Sequence, residues 1–258
     1  RIGDGSTREL EVWRVKRELA RHSRANEAVD VEVLRRGERK DFRLDLMPFD
    51  VPPLVRETVD GTPLLRPVHF ESGVEEAWRS ELEALRDAGA EELVVDLRGV
   101  AATRVEGAFP VADLFGQGTL GSLRRRGAVQ ERFESGLQPI WKGDLVVLVD
   151  RGTLGAAELL AKSLAGTVGA PLVGEPTYGW AGRRSRIELR SGALLQITDG
   201  FYAGPDGEVI DASLEPDYEI RDLWRRIGNR DREIHDLILE RGLEVLRGET
   251  EESESRAA

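Results

Sequence analysis

The sequence of 258 residues contains no cysteine, which excludes a disulfide framework, a thiolate nucleophile and a redox-active thiol pair. Histidine occurs only at the scattered positions His22, His69 and His235, so we predict no metal site and no cofactor. No apolar run approaches the roughly 18 residues that a membrane span needs, and we predict no integral membrane segment. The net charge of −11 argues against nucleic acid or an anionic membrane surface as the main partner.

Lysine is also rare, because arginine supplies most of the positive charge. Only four positions offer an amine that could act as a general base: Lys16, Lys40, Lys142 and Lys162. Of the histidines, His69 is interpreted as structural rather than catalytic.

The most informative stretch runs from residue 143 to residue 182. The β-branched run Leu145–Val149 predicts a strand buried on both faces, and Ala156–Ala165 predicts a helix. A sharp turn, Arg151–Gly155, lies between them. Backbone N–H groups converge at such a strand–turn–helix junction, so this is where an α/β enzyme would place a nucleophile or an anion site.

This stretch resembles the signature of the C-terminal processing, or tail-specific, serine proteases. Their strand, turn and helix have approximately the sequence Val-Leu-Val-Asn-x-Gly-Ser-Ala-Ser-Ala-Ser-Glu, followed later by Val-Gly-Glu-x-Thr-Phe-Gly-Lys-Gly. The matching residues here include Val147–Val149, Gly152, Glu158 and Val173–Glu175. A second match is Glu92–Gly99, which carries the family's Leu-Asp-Leu-Arg-Gly pattern. The two motifs together are specific, although either alone is weak.

The resemblance places the family's catalytic dyad on residues that cannot perform its chemistry. The serine position falls on Gly155 and the lysine position on Trp180, while Arg184 stands where a supporting glutamine is expected. A Ser–Lys dyad needs a hydroxyl nucleophile and an amine that can accept its proton. Glycine has no side chain and indole nitrogen only donates, so we predict that no catalytic residues remain.

The loop that would build the oxyanion hole is altered as well. After Arg98-Gly99 the relatives have Asn-Pro-Gly-Gly, whereas this chain has Val100–Thr103, so that Ala102 stands at a glycine position. Because residues with a Cβ rarely adopt positive φ, we expect the loop to have lost its catalytic shape. Asp96 and Arg98 are kept and are interpreted as a structural charge pair.

The alternative hypothesis is that the chain is active and uses a dyad at other positions. Thr153 and Lys162 are the weak candidates for its nucleophile and base. Lys162 follows Thr153 by nine residues, so its side chain would have to reach back over roughly 10 Å or more. This alternative describes an active serine endopeptidase that cleaves unfolded or C-terminally tagged proteins.

Residues 1–49 predict a small α+β unit. Glu11–Ser23 is helical by its periodicity, and Val29–Leu34 and Phe42–Met47 read as two strands around a turn. This order resembles the second half of a PDZ domain, and the helix would then line a peptide groove with Val12, Val15 and Leu19. A small unit with no binding role explains the same pattern equally well.

The predicted fold class is therefore α/β, with a crotonase-like (clp/crotonase) protease core behind an N-terminal partial PDZ-like α+β unit. We predict the partial PDZ-like unit at 1–49, a connector at 50–67 that contains prolines and could include an edge strand, the protease-like core at 68–247 and an acidic, disordered tail at 248–258. Because the sequence opens on Arg1 without a leader-like segment, we expect it to begin inside a longer protein.

The resemblance implies a family member that binds peptide or protein C-termini without cleaving them. The predicted binding residues of the core are Thr153, Leu154, Gly155 and Trp180, in addition to the three on the N-terminal helix. A weaker third hypothesis is a small-ligand carrier, because Trp180 adds apolar surface where the relatives have a charge. The resemblance also implies an extracytoplasmic location, in the periplasm or cell envelope, and is compatible with a homo-oligomer.

Overall fold

The computed structural model of this chain describes residues 2, 19, 22, 27–35, 37–46, 51–102, 104–189, 194–220 and 236–249. The chain divides into two compact units, Arg1–Val51 and Pro52–Ala258. The boundary lies close to the predicted end of the N-terminal unit at residue 49. Among the described residues, no helix is long and apolar enough to cross a membrane.

The first unit contains an antiparallel hairpin of β1 (Val29–Arg35) and β2 (Glu38–Leu44), with Gly37 at positive φ in the turn. This matches the predicted strand pair. Leu19 and His22 are helical, and Leu19 is half-buried, while Val12 and Val15 lie outside the described residues. The likeness of this unit to part of a PDZ domain remains a prediction.

The second unit is built on a six-stranded sheet. Its spatial order is β14-β11-β9-β5-β4-β3, and all neighbours are parallel except β3 and β4. The strands are β3 (Leu54–Val59), β4 (Thr62–Pro67), β5 (Glu92–Asp96), β9 (Asp144–Val149), β11 (Leu172–Gly174) and β14 (Tyr218–Glu219). The predicted central strand is β9, in the interior of the sheet.

Helices cover both faces of this sheet. The helices of the second unit are α1 (Val74–Asp87), α2 (Ala108–Ala112), α3 (Ala156–Val168) and α4 (Leu237–Leu246). One face, with Leu93, Val95 and Val147, belongs to a core that includes residues of α1, α2 and α3. The opposite face, with Val94 and Leu148, packs with α4. Because both faces of the sheet are covered, successive side chains of a strand are buried on alternate faces, which explains why the interior strands are apolar throughout.

A four-stranded antiparallel sheet completes the second unit, in the order β12-β13-β7-β8. It consists of β7 (Thr119–Arg125), β8 (Ala128–Glu134), β12 (Gly182–Glu188) and β13 (Leu194–Ala203). Strands β7 and β8 pair in an antiparallel arrangement, and so do β12 and β13. Strand β12 lies at the edge of this sheet.

One local expectation differs from the structure. Residues 54–67, expected as a connector or edge strand, form the complete β3–β4 hairpin with β3 at the edge of the main sheet, and Asp60 and Gly61 adopt the positive φ of its tight turn. Residues 68–70 follow β4 as a loop, and buried Phe70 packs into the core. A 3₁₀ turn at Val105–Gly107 precedes the short helix α2.

A buried charge cluster ties the end of β5 to its surroundings. Asp96 is fully buried. It accepts hydrogen bonds from Nε of Arg98 at 2.9 Å and Nη2 of Arg98 at 2.8 Å, and a further hydrogen bond from Arg66. Arg98 also contacts Asp236, which caps α4. Burial raises the pKa of Asp96, but the hydrogen bonds from Arg98 and Arg66 outweigh it, so the pKa of Asp96 is lowered overall. The expected structural charge pair is thus part of a larger network.

We predict that Asp96→Asn lowers the free energy of unfolding at pH 7 by about 3 kcal/mol, because two arginines lose their buried partner. The folded-state pKa of Asp96 lies below its unfolded value of about 3.9, so this stabilisation is complete above that value. It is lost as the pH falls toward the folded-state pKa. Urea unfolding at pH 7 and pH 3 checks this, with the exposed Asp87→Asn as control. An equal difference between wild type and Asp96→Asn at both pH values would contradict it.

Candidate functional site

The predicted strand–turn–helix junction is present, and Gly155 lies at its tip. Strand β9 ends at Val149, a short strand β10 (Leu154–Gly155) follows the turn, and α3 begins at Ala156. Gly155 has φ 69° and ψ −109°. A residue with a side chain would be strained in this conformation. Many hydrolases place their nucleophile in a similarly strained turn between a strand and a helix. The backbone shape of a nucleophile elbow is therefore present without a nucleophilic side chain.

Asp150 and Thr153 fix the turn before the elbow. The Asp150 carboxylate accepts hydrogen bonds from Gly99 N at 2.8 Å and Gly152 N at 2.9 Å. The buried Thr153 hydroxyl donates to Leu97 O at 3.0 Å and accepts from Asp150 N at 2.9 Å. Both side chains join the turn to the loop after β5. Thr153 is thus engaged in holding the backbone.

The altered loop after Gly99 packs directly against the elbow. Its short strand β6 (Ala101–Ala102) pairs in parallel with β10, and Leu154 N donates to Val100 O at 3.0 Å. A Cβ added at Gly155 would lie far closer to Ala102 O than the 3.0 Å that real Cβ atoms keep. The carbonyl group of Ala102 therefore occupies the space through which a serine side chain at position 155 would leave the backbone.

Glu158 joins the elbow to the loop that carries Trp180. Its fully buried carboxylate accepts hydrogen bonds from four groups. These are Gly155 N at 3.0 Å, Thr177 Oγ1 at 2.5 Å, Gly179 N at 2.5 Å and Trp180 N at 2.9 Å. Four donors offset the loss of hydration of a buried carboxylate. Sequence reasoning missed this role, although a glutamate three residues after a helix N-cap is the signal of a capping box.

Trp180 and Arg184 contact each other. The guanidinium carbon of Arg184 lies 4.6 Å from the centroid of the Trp180 ring, which is the geometry of a cation–π contact. Gly182 lies beside the same ring, since a Cβ there would come within 2.5 Å of Trp180 Cζ2. Trp180 and Arg184, which we predict at the family's lysine and glutamine positions, thus form a stacked pair. Leu154, the remaining predicted binding residue of the core, is half-buried next to the elbow.

The displaced dyad is not assembled in the structure. Lys162 Nζ forms ion pairs with Asp206 at 3.0 Å and Glu208 at 3.5 Å. The Thr153 hydroxyl has the backbone partners described above. The remaining hydroxyls near the helix also bind other groups: Ser163 donates to Leu120 O, and Ser185 donates to Asp199. In the part of the chain that the structure describes, no group of three His, Asp or Glu side chains is placed to hold a metal ion.

Comparison with known proteins agrees with this architecture. A model described as "Peptidase family S41" matches residues 64–220, more than half of the chain. Carboxyl-terminal-processing peptidase 1 of Arabidopsis thaliana, a chloroplastic protein, is 31% identical over 58% of this chain and 31% of its own length. The carboxyl-terminal-processing protease of Synechocystis sp. is 28% identical over 70% of this chain and 44% of its own.

Solved structures show the same fold. The photosystem II D1 C-terminal processing protease aligns with a TM-score of 0.60 at 22% identity, covering 76% of this chain and 56% of that one. A family S41 protein of Bacteroides fragilis aligns with a TM-score of 0.61 at 16% identity, covering 87% and 67%.

The strand–turn–helix junction, the six-stranded sheet and the family match define an α/β protein with a serine-peptidase scaffold. The chain belongs to peptidase family S41, the C-terminal processing proteases. It spans less than half the length of the curated relatives described above.

We predict that Gly155→Ala lowers the free energy of unfolding by about 3 kcal/mol, because a methyl group meets Ala102 O and the backbone becomes strained. Gly169→Ala is the control for a positive φ without a clash, since Gly169 also has a φ of 69° but has a ψ of 24° and open space around its Cα. There we expect a loss of about 1 kcal/mol, from the left-handed conformation alone. The larger loss at position 155 then combines the clash with the strain of its ψ of −109°. Urea unfolding measures both, and equal losses would contradict the predicted clash.

Proposed function

We propose that this chain is a family S41 member that has lost the Ser–Lys dyad and binds extended peptide or protein segments without cleaving them. The observation that carries the proposal is the contact between the elbow and the loop of Ala102. It supports inactivity because Gly155, where the resemblance places the nucleophile, lacks a side chain and also lacks space for one.

Binding is supported by the edge of the four-stranded sheet. Strand β12 pairs with β13 on one side and with no other described strand on its outer side. Alternate backbone N–H and C=O groups on such an edge are available to an added strand. Because β12 begins two residues after Trp180, a segment paired with it would lie next to the elbow. The family resemblance makes C-terminal segments the favoured class.

The two other hypotheses have less support. An active endopeptidase would need a hydroxyl within hydrogen-bonding reach of a base, and Thr153 and Lys162 are engaged with separate partners. A carrier of small apolar ligands would need a free indole face, whereas Arg184 stacks on the ring of Trp180.

The proposal predicts that the protein binds unfolded segments and that the bound peptides are recovered uncleaved. We would add purified protein to a fluorescein-labelled pool of peptides with randomised C-terminal residues and follow fluorescence anisotropy, with fluorescein-glycine as the dye control. We expect a saturable rise for the peptides, and mass spectra of the recovered pool that match the starting material. Absence of a rise would refute the binding role, and shortened peptides would refute the loss of activity.

A further inference from the structure

Arg184 is an exposed arginine without an acidic partner among the residues that the structure describes. Its recorded contact is the stack on Trp180. The carboxylate nearest in the sheet, Asp199, is already bound by Arg183 Nε and Nη2, both at 2.8 Å, and by Ser185 Oγ at 2.9 Å. These bonds lower the pKa of Asp199 to about 2, so it stays ionised and committed to them.

A bulge in the hairpin separates Arg184 from this carboxylate. The pairing of β12 with β13 shifts between Arg183 and Arg184, so that Arg183 pairs with Gly200 and Arg184 with Thr198. Asp199 is the extra residue, and both neighbours of Arg184 in the strand bind it. Successive side chains of a strand point to opposite faces, so Arg184 shares its face with Gly182 and the ring of Trp180.

The guanidinium is held in place rather than free to sample the solvent. Trp180 N donates to Glu158 Oε2 at 2.9 Å, and Gly182 lies beside the indole because it has no Cβ. A fixed aromatic surface restricts the arginine side chain and leaves the edges of its planar fork open to a ligand. Such a preoriented guanidinium loses less conformational entropy when it binds.

We propose that Arg184, stacked on Trp180, binds the C-terminal carboxylate of an extended peptide that pairs with the free edge of β12. The inference rests on the proposed function and names the chemical group recognised at that site. The planar guanidinium group can donate two parallel N–H bonds to the two oxygens of a carboxylate. A peptide antiparallel to β12 ends near the start of that strand, which brings its terminal carboxylate close to Arg184 whatever its side chains are.

The test compares one randomised peptide pool in two forms, with a free C-terminal carboxylate and with a C-terminal amide. The pool omits aspartate and glutamate, so that the main-chain carboxylate is its only one. Anisotropy titrations use wild type, Arg184→Gln and the control Arg125→Gln, which removes an exposed arginine of β7 in the same sheet. Thermal unfolding confirms that the exposed substitutions leave the fold intact.

For wild type we expect the acid form to bind roughly tenfold more tightly than the amide, since a charge-assisted pair is lost in the amide. Arg184→Gln should reduce the affinity for the acid to that for the amide, while Arg125→Gln keeps the tenfold preference. Equal binding of both forms by wild type would overturn the inference and leave the proposed function standing. A preference that persists in Arg184→Gln would place carboxylate recognition elsewhere and overturn it as well. If wild type binds neither form, both the inference and the proposed function fail.

Discussion

The buried carboxylate of Glu158 is the interaction on which the site depends. Its two oxygens receive the backbone N–H groups of Gly155, Gly179 and Trp180 as well as the hydroxyl of Thr177. No arginine or lysine of the described residues forms an ion pair with it, so hydrogen bonds from neutral donors must stabilise the charge. This carboxylate fixes the elbow and the Trp180 loop relative to each other. Because Gly155 and Trp180 bind Glu158 through their backbone N–H groups, the elbow and the loop stay joined whatever side chains these two positions carry.

The changes at the site are physically coupled. Glycine at 155 permits the loop of Ala102 to approach and to pair with β10, and that pairing in turn excludes any larger residue at 155. Likewise, Trp180 provides the surface on which Arg184 stacks. A serine at 155 and a lysine at 180 would therefore meet a closed loop and an arginine.

Much of this could be predicted from the sequence, because the decisive signals are local. The apolar run of β9, the glycine-containing turn and the helix after it follow from periodicity. The spacing of the motifs singled out Gly155 and Trp180, and the structure joins both to Glu158, but their assignment as the dyad positions stays a prediction. The closure of Ala102 over Gly155 could not be predicted, since it joins residues far apart in sequence through a backbone carbonyl. The β3–β4 hairpin was missed because prolines at its ends, such as Pro53 and Pro67, resemble those of a connector. The partners of Thr153 likewise depend on the tertiary fold.

The most direct test of the central claim, that the scaffold has no working nucleophile, is to incubate the purified chain with an unfolded protein and analyse the mixture by intact mass spectrometry. Reduced casein is a suitable substrate because it exposes many extended segments. The account predicts that the mass of the substrate does not change, since position 155 offers neither a hydroxyl nor space for one. Product fragments that appear with wild type and disappear with Thr153→Ala would show that a displaced nucleophile operates, and would contradict it.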